Sequence, residues 1–191
     1  MKPIIGIVAV ILAVVAYVPY FRDIMKGKTK PHIYTWFVWG LVTSIIFALQ
    51  VKGGGDWGVY VTLSAAILSF VVLFLGLRNG NKDIQKIDTV FLVVAFIALG
   101  FWVFAKQPIV SVVLLVAIDM LGFGPTVRKS WNNPYDETLF TWSINGFRHG
   151  LSIVALGHYN ILTLLYPVAW TTANILFSTM LVIRRKSLPP S

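Results

Sequence analysis

Long apolar segments, each about as long as a membrane-spanning helix, make up most of the chain and are separated by short polar breaks. A helix that crosses a bilayer needs about 20 mostly apolar residues. Charged residues, glycine or proline mark the breaks. The pattern predicts an all-α membrane protein. Its seven transmembrane helices are expected at residues 4–21, 33–51, 58–77, 88–105, 108–127, 138–157 and 161–183.

The composition agrees with a membrane protein and excludes several other classes. The 191 residues are 57% hydrophobic and only 12% charged, with a mean hydropathy of +0.79. Soluble domains are nearer half apolar and a quarter charged. A soluble globular enzyme, a disordered tail and a nucleic-acid module are therefore excluded. The net charge of +9 is better explained by membrane topology than by nucleic acid, because the basic residues lie between apolar segments.

The sequence carries no pattern for catalysis, for a cofactor or for a metal. The absence of cysteine excludes disulfides, thiolate ligands and a cysteine nucleophile. His-Glu-x-x-His, Gly-x-Ser-x-Gly and P-loop patterns are also absent from the sequence. His32 and His158 have no ligand partner at metal-binding spacing. The last apolar segment has no lysine for a retinal Schiff base, so we expect neither an enzyme nor a rhodopsin.

The first apolar segment is interpreted as a helix of the mature protein. A cleaved signal peptide is the alternative, since Lys2 gives a weakly basic start. No Ala-x-Ala cleavage site follows, however, and the apolar segment runs directly into Pro19-Tyr20-Phe21-Arg22.

Lysine and arginine are divided unequally between the two predicted sides of the membrane. Cytoplasmic loops carry the excess of these residues. The inequality predicts an outside N terminus and a cytoplasmic C terminus, in keeping with an odd number of spans. One side holds Lys2, Lys52 and Lys106, and the other holds Arg22, Lys26, Lys28, Lys30, Arg78, Lys82, Lys86, Arg128, Lys129, Arg184, Arg185 and Lys186.

The chain matches itself without gaps at an offset of 106 residues. Each matched pair occupies the same place in its helix, so the first three helices repeat as the last three. We expect a first three-helix repeat at 1–79, a linker helix at 80–107, and a second repeat with a short basic tail at 108–191. The pairs are Pro19 with Pro125, Arg22 with Arg128, Thr35 with Thr141, Trp36 with Trp142, Gly40 with Gly146, Tyr60 with Tyr166, Leu75 with Leu181 and Arg78 with Arg184.

The single linker helix gives the two repeats the same orientation in the membrane. They are therefore expected to form two parallel three-helix bundles joined by a linker helix, a 3+1+3 arrangement whose axis lies along the membrane normal. Two such bundles enclose a central space. Rocking one bundle against the other is the physical basis of alternating access.

This arrangement resembles the SWEET and PQ-loop transporter superfamily over almost the whole chain. The PQ-loop signature has glutamine after proline, where this chain has Tyr20 and Thr126. The resemblance implies a carrier of sugars, amino acids or vitamin precursors, or a receptor built on the same scaffold. The residues that carry it are Pro19-Tyr20 and Pro125-Thr126, each followed by a basic loop, and then Thr35-Trp36 and Thr141-Trp142.

Two prolines at equivalent positions are candidate hinges. Proline inside a helix removes a backbone hydrogen bond and permits a kink. Pro19 and Pro125 lie near the cytoplasmic ends of the first helix of each repeat. Either they act as paired hinges, or they mark helix ends before basic loops.

Polar and aromatic residues form a stripe on each of the last two helices. Such a stripe is costly against lipid, so it should face the bundle or a wet cavity. It binds a polar cargo, or it holds the helices together by hydrogen bonds. The stripes contain Trp142, Asn145, His149 and Ser152 on the sixth helix, and Thr163, Tyr166 or Pro167, Trp170, Asn174 and Ser178 on the seventh.

The resemblance to SWEET proteins implies a cargo site in the same region. SWEETs are expected to bind cargo with an asparagine on the third helix of each repeat and an aromatic residue on the second. Asn174 and Trp142 match that description. In the first repeat, the matching aromatic residue is Trp36, and Leu68 replaces the asparagine with Ser69 beside it. The candidate substrate-binding residues are Trp36, Ser69, Trp142, Asn145, His149, Trp170 and Asn174.

Asp119 and Arg148 are ionisable residues placed deep inside predicted spans. Their distances from the cytoplasmic helix ends put them at a similar depth of roughly 13–17 Å, so they are expected to form an ion pair. The pair is structural, or it breaks during transport while Asp119 or His149 takes a proton. Arg148 binding an anionic group of the cargo is a further alternative.

The sequence therefore predicts a transporter that moves a small polar solute, such as a sugar, nucleoside or amino acid, by alternating access. The alternatives are a ligand-binding receptor and a structural membrane protein on the same scaffold. The expected partners are the solute and the lipid bilayer, with homo-oligomer formation left open. The short loops suit a prokaryotic plasma membrane.

Overall fold

The computed structural model describes residues 1–27, 31, 33–79, 86–132 and 134–188. Within these residues the chain is helical and contains no β-strand. Each apolar segment identified in the sequence forms a helix, which confirms the predicted helical positions. The helices are α1 (Lys2–Met25), α2 (Ile33–Lys52), α3 (Val59–Asn79), α4 (Lys86–Val103), α5 (Pro108–Asn132), α6 (Leu139–Ala155) and α7 (Ile161–Ser187), with short 3₁₀ segments at Asp56–Gly58 and Pro134–Asp136.

The start of α7 is fixed by a capping box at Asn160. The Asn160 side-chain oxygen accepts hydrogen bonds from the backbone N–H groups of Leu162 and Thr163, at 3.0 and 3.3 Å. In return, the Thr163 hydroxyl accepts from the backbone N–H of Asn160 at 3.1 Å. These bonds satisfy N–H groups that have no partner inside the helix. They let α7 begin only a few residues after α6 ends.

The distribution of side chains on α6 is the reverse of that in a water-soluble helix. Arg148 and His149 are buried, whereas Phe140, Phe147 and Val154 are more than half exposed. An outward apolar face is favourable in lipid, where polar groups must be satisfied inside the protein. The arrangement is that of a helical membrane protein.

Three helices of the described residues are long and apolar enough to cross a membrane: Lys2–Met25, Asp56–Leu77 and Ile161–Ser187. Two shorter apolar helices cover Trp36–Lys52 and Pro108–Gly124. The expectation of seven spans with an outside N terminus stays a prediction.

The helices pack in the same order in each half of the chain. In the first half α3 contacts both α1 and α2, and in the second half α7 contacts both α5 and α6. The halves meet where α1 packs against α6 and α2 packs against α5. The remaining helix, α4, packs against α5 and α2.

Small residues on one face of α1 allow close packing against its neighbours. This face packs mainly on α6 and α3. A Cβ added at Gly6 would lie 3.0 Å from the backbone oxygen of Trp57, so larger residues do not fit. The buried small residues are Gly6, Ala9, Ala13 and Ala16.

At the end of the bundle that carries the N terminus, the α2–α3 and α6–α7 connections interlock. The Gly157 N–H donates to the Gly55 carbonyl at 3.2 Å, and the Asn160 amide donates to the Gly53 carbonyl at 2.7 Å. The Lys2 ammonium donates to the Leu156 carbonyl at 2.6 Å. These bonds join the two halves of the chain and close this end.

Gly58 is expected to tolerate no side chain, because it lies against the backbone of α6. An added Cβ would collide with the Ser152 carbonyl oxygen and lie 2.9 Å from the backbone nitrogen of Leu156. We expect Gly58→Ala to destabilise the protein by about 1–3 kcal/mol. The control is Gly124→Ala, which meets nothing within 4 Å and should be neutral or stabilising. Thermal unfolding in detergent measures both, and equal melting temperatures for the two variants would contradict the prediction.

Candidate functional site

A cluster of buried polar side chains lies midway along α5, α6 and α7. Each member is between 1% and 9% exposed. The structure thus brings together six of the residues predicted from the two stripes and from the deep ionisable positions. This polar cluster consists of Asp119, Asn145, Arg148, His149, Trp170 and Asn174.

Trp170 links the α5 and α7 members of the polar cluster. Its indole N–H donates to Asp119 Oδ2 at 2.8 Å. The Asn174 amide donates to the Trp170 backbone carbonyl, one turn earlier on the same helix, at 2.6 Å. The Trp170 ring stacks against the His149 ring, with centroids 6.4 Å apart and planes at 19°. Trp170 therefore fixes one carboxylate oxygen of Asp119 and also contacts α6.

Arg148 is held by its own helix. Its Nε donates to Asn145 Oδ1 at 2.6 Å, and the two residues are one turn apart. This bond uses the Asn145 carbonyl oxygen and sets the direction of the guanidinium group. The pairing explains why an asparagine and an arginine share one face of α6.

The expected ion pair between Asp119 and Arg148 is not formed. Both residues are described and buried, but Asp119 bonds to Trp170 and Arg148 bonds to Asn145. The cause is the packing order, in which α7 contacts both α5 and α6. The polar group that α7 presents to Asp119 is the Trp170 indole. A similar depth in the membrane was therefore not enough to pair the two charges.

Four atoms of the polar cluster are buried without a hydrogen-bond partner in the protein. They are Asp119 Oδ1, Arg148 Nη1, His149 Nδ1 and Asn174 Oδ1. A buried polar atom without a partner costs about 1–3 kcal/mol, and more where the group is charged. The four atoms include a carboxylate acceptor from Asp119, a guanidinium donor from Arg148 and an amide acceptor from Asn174. A polar molecule that satisfied them would recover this cost.

A layer of aromatic rings lies beside the polar cluster, toward the end of the bundle where α6 begins. The Phe123 ring packs against the rings of Trp142 and Phe177, and the centroids of each pair are 5.0 Å apart. Trp142 and Phe177 are 4.6 Å apart. The Trp142 indole donates to Glu137 Oε2 at 3.1 Å, so it is directed away from the polar cluster. Trp142 therefore belongs to this aromatic layer, although we predicted it as a cargo contact.

Two tyrosines approach the polar cluster: Tyr166, which belongs to the predicted stripe of the seventh helix, and Tyr17, which we did not select from the sequence. Tyr17 of α1 and Tyr166 of α7 lie within electrostatic range of both Asp119 and Arg148. The Tyr166 ring also packs against His149 with centroids 5.7 Å apart. The 106-residue offset aligns Tyr17 with Phe123, and this aromatic match was the available signal.

Two candidates from the first repeat are not part of the polar cluster. Trp36 packs among aromatic residues of α1 and α2, 5.6 Å from the Tyr20 ring and 5.3 Å from the Trp39 ring. The Ser69 hydroxyl donates to the Ala65 carbonyl of its own helix at 2.9 Å. The polar contacts described thus come from the second half of the chain.

Of the two candidate hinge prolines, the structure describes the side chain of Pro19 only. Pro19 lies inside α1, which continues beyond it to Met25. The side chain of Pro125 is outside the described residues. The hinge role of both prolines stays a prediction.

A cleft on α5 does not reach the polar cluster, since none of its lining residues belongs to the cluster. The cleft has a volume of about 420 Å³. Phe123 lines it, and the centroid of the Phe123 ring lies 5.5 Å from that of Trp170. The residues of the polar cluster are themselves at most 9% exposed. The cleft is lined by Met120, Phe123, Gly124, Val127, Trp131 and Asn132.

The connection between α5 and α6 is fastened to the last turns of α7. The Arg185 guanidinium donates to the carbonyls of Pro134, at 3.0 and 3.1 Å, and of Glu137, at 2.6 Å. Its Cζ lies 5.1 Å from the centroid of the Tyr135 ring. Because Glu137 also accepts from Trp142, this connection supports the aromatic layer.

Arg185→Gln is expected to release this connection, because glutamine cannot make the three hydrogen bonds of the guanidinium. We expect backbone hydrogen exchange around Pro134–Asp136 to rise at least about tenfold, from the loss of roughly 1.5–3 kcal/mol. Lys186→Gln removes a neighbouring, exposed charge and serves as the control. Unchanged protection in Arg185→Gln would show that the contacts do not hold the connection.

Comparisons with protein-family models, with curated proteins and with solved structures return no match for this chain. Its resemblance to the SWEET and PQ-loop superfamily therefore stays a prediction from the sequence. Within the described residues, no group of three or more histidine, aspartate or glutamate side chains could hold a metal ion.

Proposed function

We propose that this protein is a membrane transporter that moves a small polar solute by alternating access between two three-helix bundles. The observation that carries the proposal is the polar cluster with its four unpartnered atoms, buried midway along the helices. A protein that only needed stability would gain by an apolar core at this place, because unsatisfied buried polar groups are costly. Binding of a solute offsets that cost.

The packing order supports the two-bundle part of the proposal. α3 lies against both other helices of its half, and α7 does the same in the second half. The halves meet through α1 with α6 and α2 with α5, as two parallel copies around a central axis would. In this proposal α4 is the linker helix, and the basic loops set an outside N terminus and a cytoplasmic C terminus.

Alternating access requires the polar cluster to open to one side at a time. One end of the bundle is closed by backbone hydrogen bonds between the connections at Gly55 and Gly157. The other end is closed by the aromatic layer of Phe123, Trp142 and Phe177. The structure is thus assigned to an occluded state, and transport would separate one of these contacts while keeping the other.

Two alternatives remain on the same scaffold. A receptor would bind the same solute without moving it across the membrane. One observation favours a structural membrane protein: the residues of the polar cluster are almost fully buried, and the cleft on α5 lies elsewhere. If the protein is structural, Asn174→Ala should change only its stability.

Ligand binding to the purified protein in detergent tests the proposal. We would measure melting temperatures with sugars, nucleosides, amino acids and carboxylates at two pH values. A ligand at 100 times its Kd should add roughly 2.7 kcal/mol of stability. The shift should be lost in Asn174→Ala, because Asn174 Oδ1 is one of the four unpartnered atoms. Thr179→Val is the control, because the Thr179 hydroxyl bonds to its own helix at an exposed site.

Absence of any shift in the wild type would contradict the proposed function and favour the structural alternative. A shift that persists in Asn174→Ala would place binding outside the polar cluster. Binding without flux in reconstituted vesicles would identify the receptor.

A further inference from the structure

The polar cluster holds one negative and one positive side chain that are both buried and not paired with each other. Asp119 and Arg148 are each 2% exposed. Each has one neutral partner, Trp170 for Asp119 and Asn145 for Arg148. Each keeps one atom free for a ligand, the acceptor Asp119 Oδ1 and the donor Arg148 Nη1.

From this arrangement we infer that the solute is a small zwitterion that carries a carboxylate and an ammonium group. The inference rests on the proposed function, since it names the class of solute bound at the polar cluster. The ligand carboxylate accepts a hydrogen bond from Arg148 Nη1. The ligand ammonium donates to Asp119 Oδ1. One ligand then neutralises both buried charges, which a single anion or cation does not.

The charges favour a zwitterion over a neutral sugar. Sugar hydroxyls satisfy hydrogen-bonding atoms, but they leave an anionic and a cationic side chain uncompensated in a dry interior. Isolated buried charges are far more costly than buried neutral groups. A guanidinium also matches the planar geometry of a carboxylate better than that of a hydroxyl group.

The surrounding contacts orient both charged groups before a ligand arrives. The Asn145 oxygen holds Nε of Arg148 at 2.6 Å, and the Trp170 indole holds Oδ2 of Asp119 at 2.8 Å. Asn174 Oδ1 is a second acceptor for the ammonium. The Tyr166 ring lies 6.5 Å from the Trp170 ring of the cluster, and aromatic faces also attract an ammonium group.

The experiment compares one amino acid with two analogues that each lack one charge. We would measure binding of L-alanine, lactate and L-alaninamide to the full-length protein in detergent, and of leucine and phenylalanine with their own matched analogues. Lactate lacks the ammonium and alaninamide lacks the carboxylate. Wild-type protein is expected to bind the best amino acid about 10- to 100-fold more tightly than either analogue, from the loss of one charged hydrogen bond.

Two variants should change this selectivity in opposite ways. Asp119→Asn removes the anionic partner, so discrimination against the hydroxy-acid analogue should fall at least about tenfold, while discrimination against the amide persists. Arg148→Gln should do the reverse. A merely structural role for either residue would weaken all ligands together. Thr179→Val is the control and should keep the wild-type ratios.

Tight binding of a sugar or nucleoside that depends on Asn174, with no binding of any amino acid, would overturn the zwitterion inference and leave the proposed function standing. Binding of no compound by the wild type would overturn both. Equal affinity of the wild type for an amino acid and its two analogues would also overturn the inference. The ratios of wild-type affinities for an amino acid and its analogues test the zwitterion inference even if a variant fails to fold.

Discussion

Arg148→Lys is expected to weaken solute binding and uptake by about 10- to 100-fold, although it keeps the positive charge. The reason is geometric. The guanidinium of Arg148 donates from Nε to Asn145, while Nη1 has no hydrogen-bond partner in the protein and is proposed to bind the solute. A lysine ammonium is one point charge on a flexible chain and cannot occupy both positions. Equilibrium binding of the solute found by thermal shift measures the loss.

Asn145→Ala is the companion to this prediction. It keeps the guanidinium but removes the oxygen that orients it, so we expect a smaller loss of affinity than in Arg148→Lys. The control is Thr179→Val, which should bind as the wild type does. Wild-type affinity in Arg148→Lys would show that only charge matters at this position and would contradict the geometry described for Arg148.

Trp170→Phe is expected to reduce both stability and solute binding. Phenylalanine keeps an aromatic ring near His149 but removes the indole N–H that donates to Asp119 Oδ2. Because Asp119 Oδ1 already lacks a protein partner, both carboxylate oxygens would then be unsatisfied in the protein. We expect a loss of about 1–3 kcal/mol in the free energy of unfolding. Thermal unfolding in detergent and solute binding measure the two effects.

A double variant separates the hydrogen bond from the size of the ring. In Trp170→Phe with Asp119→Leu the buried carboxylate is absent, so the added cost of Trp170→Phe should largely disappear. Trp57→Phe, at a partly exposed site, is the control for loss of an indole. An equal cost of Trp170→Phe with and without Asp119 would show that the hydrogen bond contributes nothing measurable.

The positions of the helices could be predicted from the sequence because membrane helices need long apolar segments, and breaks are marked by charge, glycine and proline. The segment predicted at 108–127, for example, lies inside α5 (Pro108–Asn132), and the one at 4–21 lies inside α1 (Lys2–Met25). The buried small residues of α1 show a related regularity, because they recur at helical spacing along one face. Helical periodicity identifies which residues share a face, and the free-energy cost of placing polar side chains in lipid decides which face is buried.

The partners of individual side chains could not be predicted in this way. Depth along a helix axis placed Asp119 and Arg148 together, but it does not say which helix stands beside which. The packing order puts α7 in contact with both α5 and α6, and so Trp170 became the partner of Asp119. For Trp142, the spacing gave the correct face of α6, while the bond to Glu137 depends on how the α5–α6 connection folds back.

The most direct test of the central claim is solute uptake by the full-length protein reconstituted into lipid vesicles. The solute is the compound with the largest thermal shift, added in labelled form outside vesicles with and without protein. The proposed function predicts saturable uptake that is lost in Asn174→Ala and kept in Thr179→Val. Uptake no faster than in protein-free vesicles, despite binding in detergent, would contradict transport.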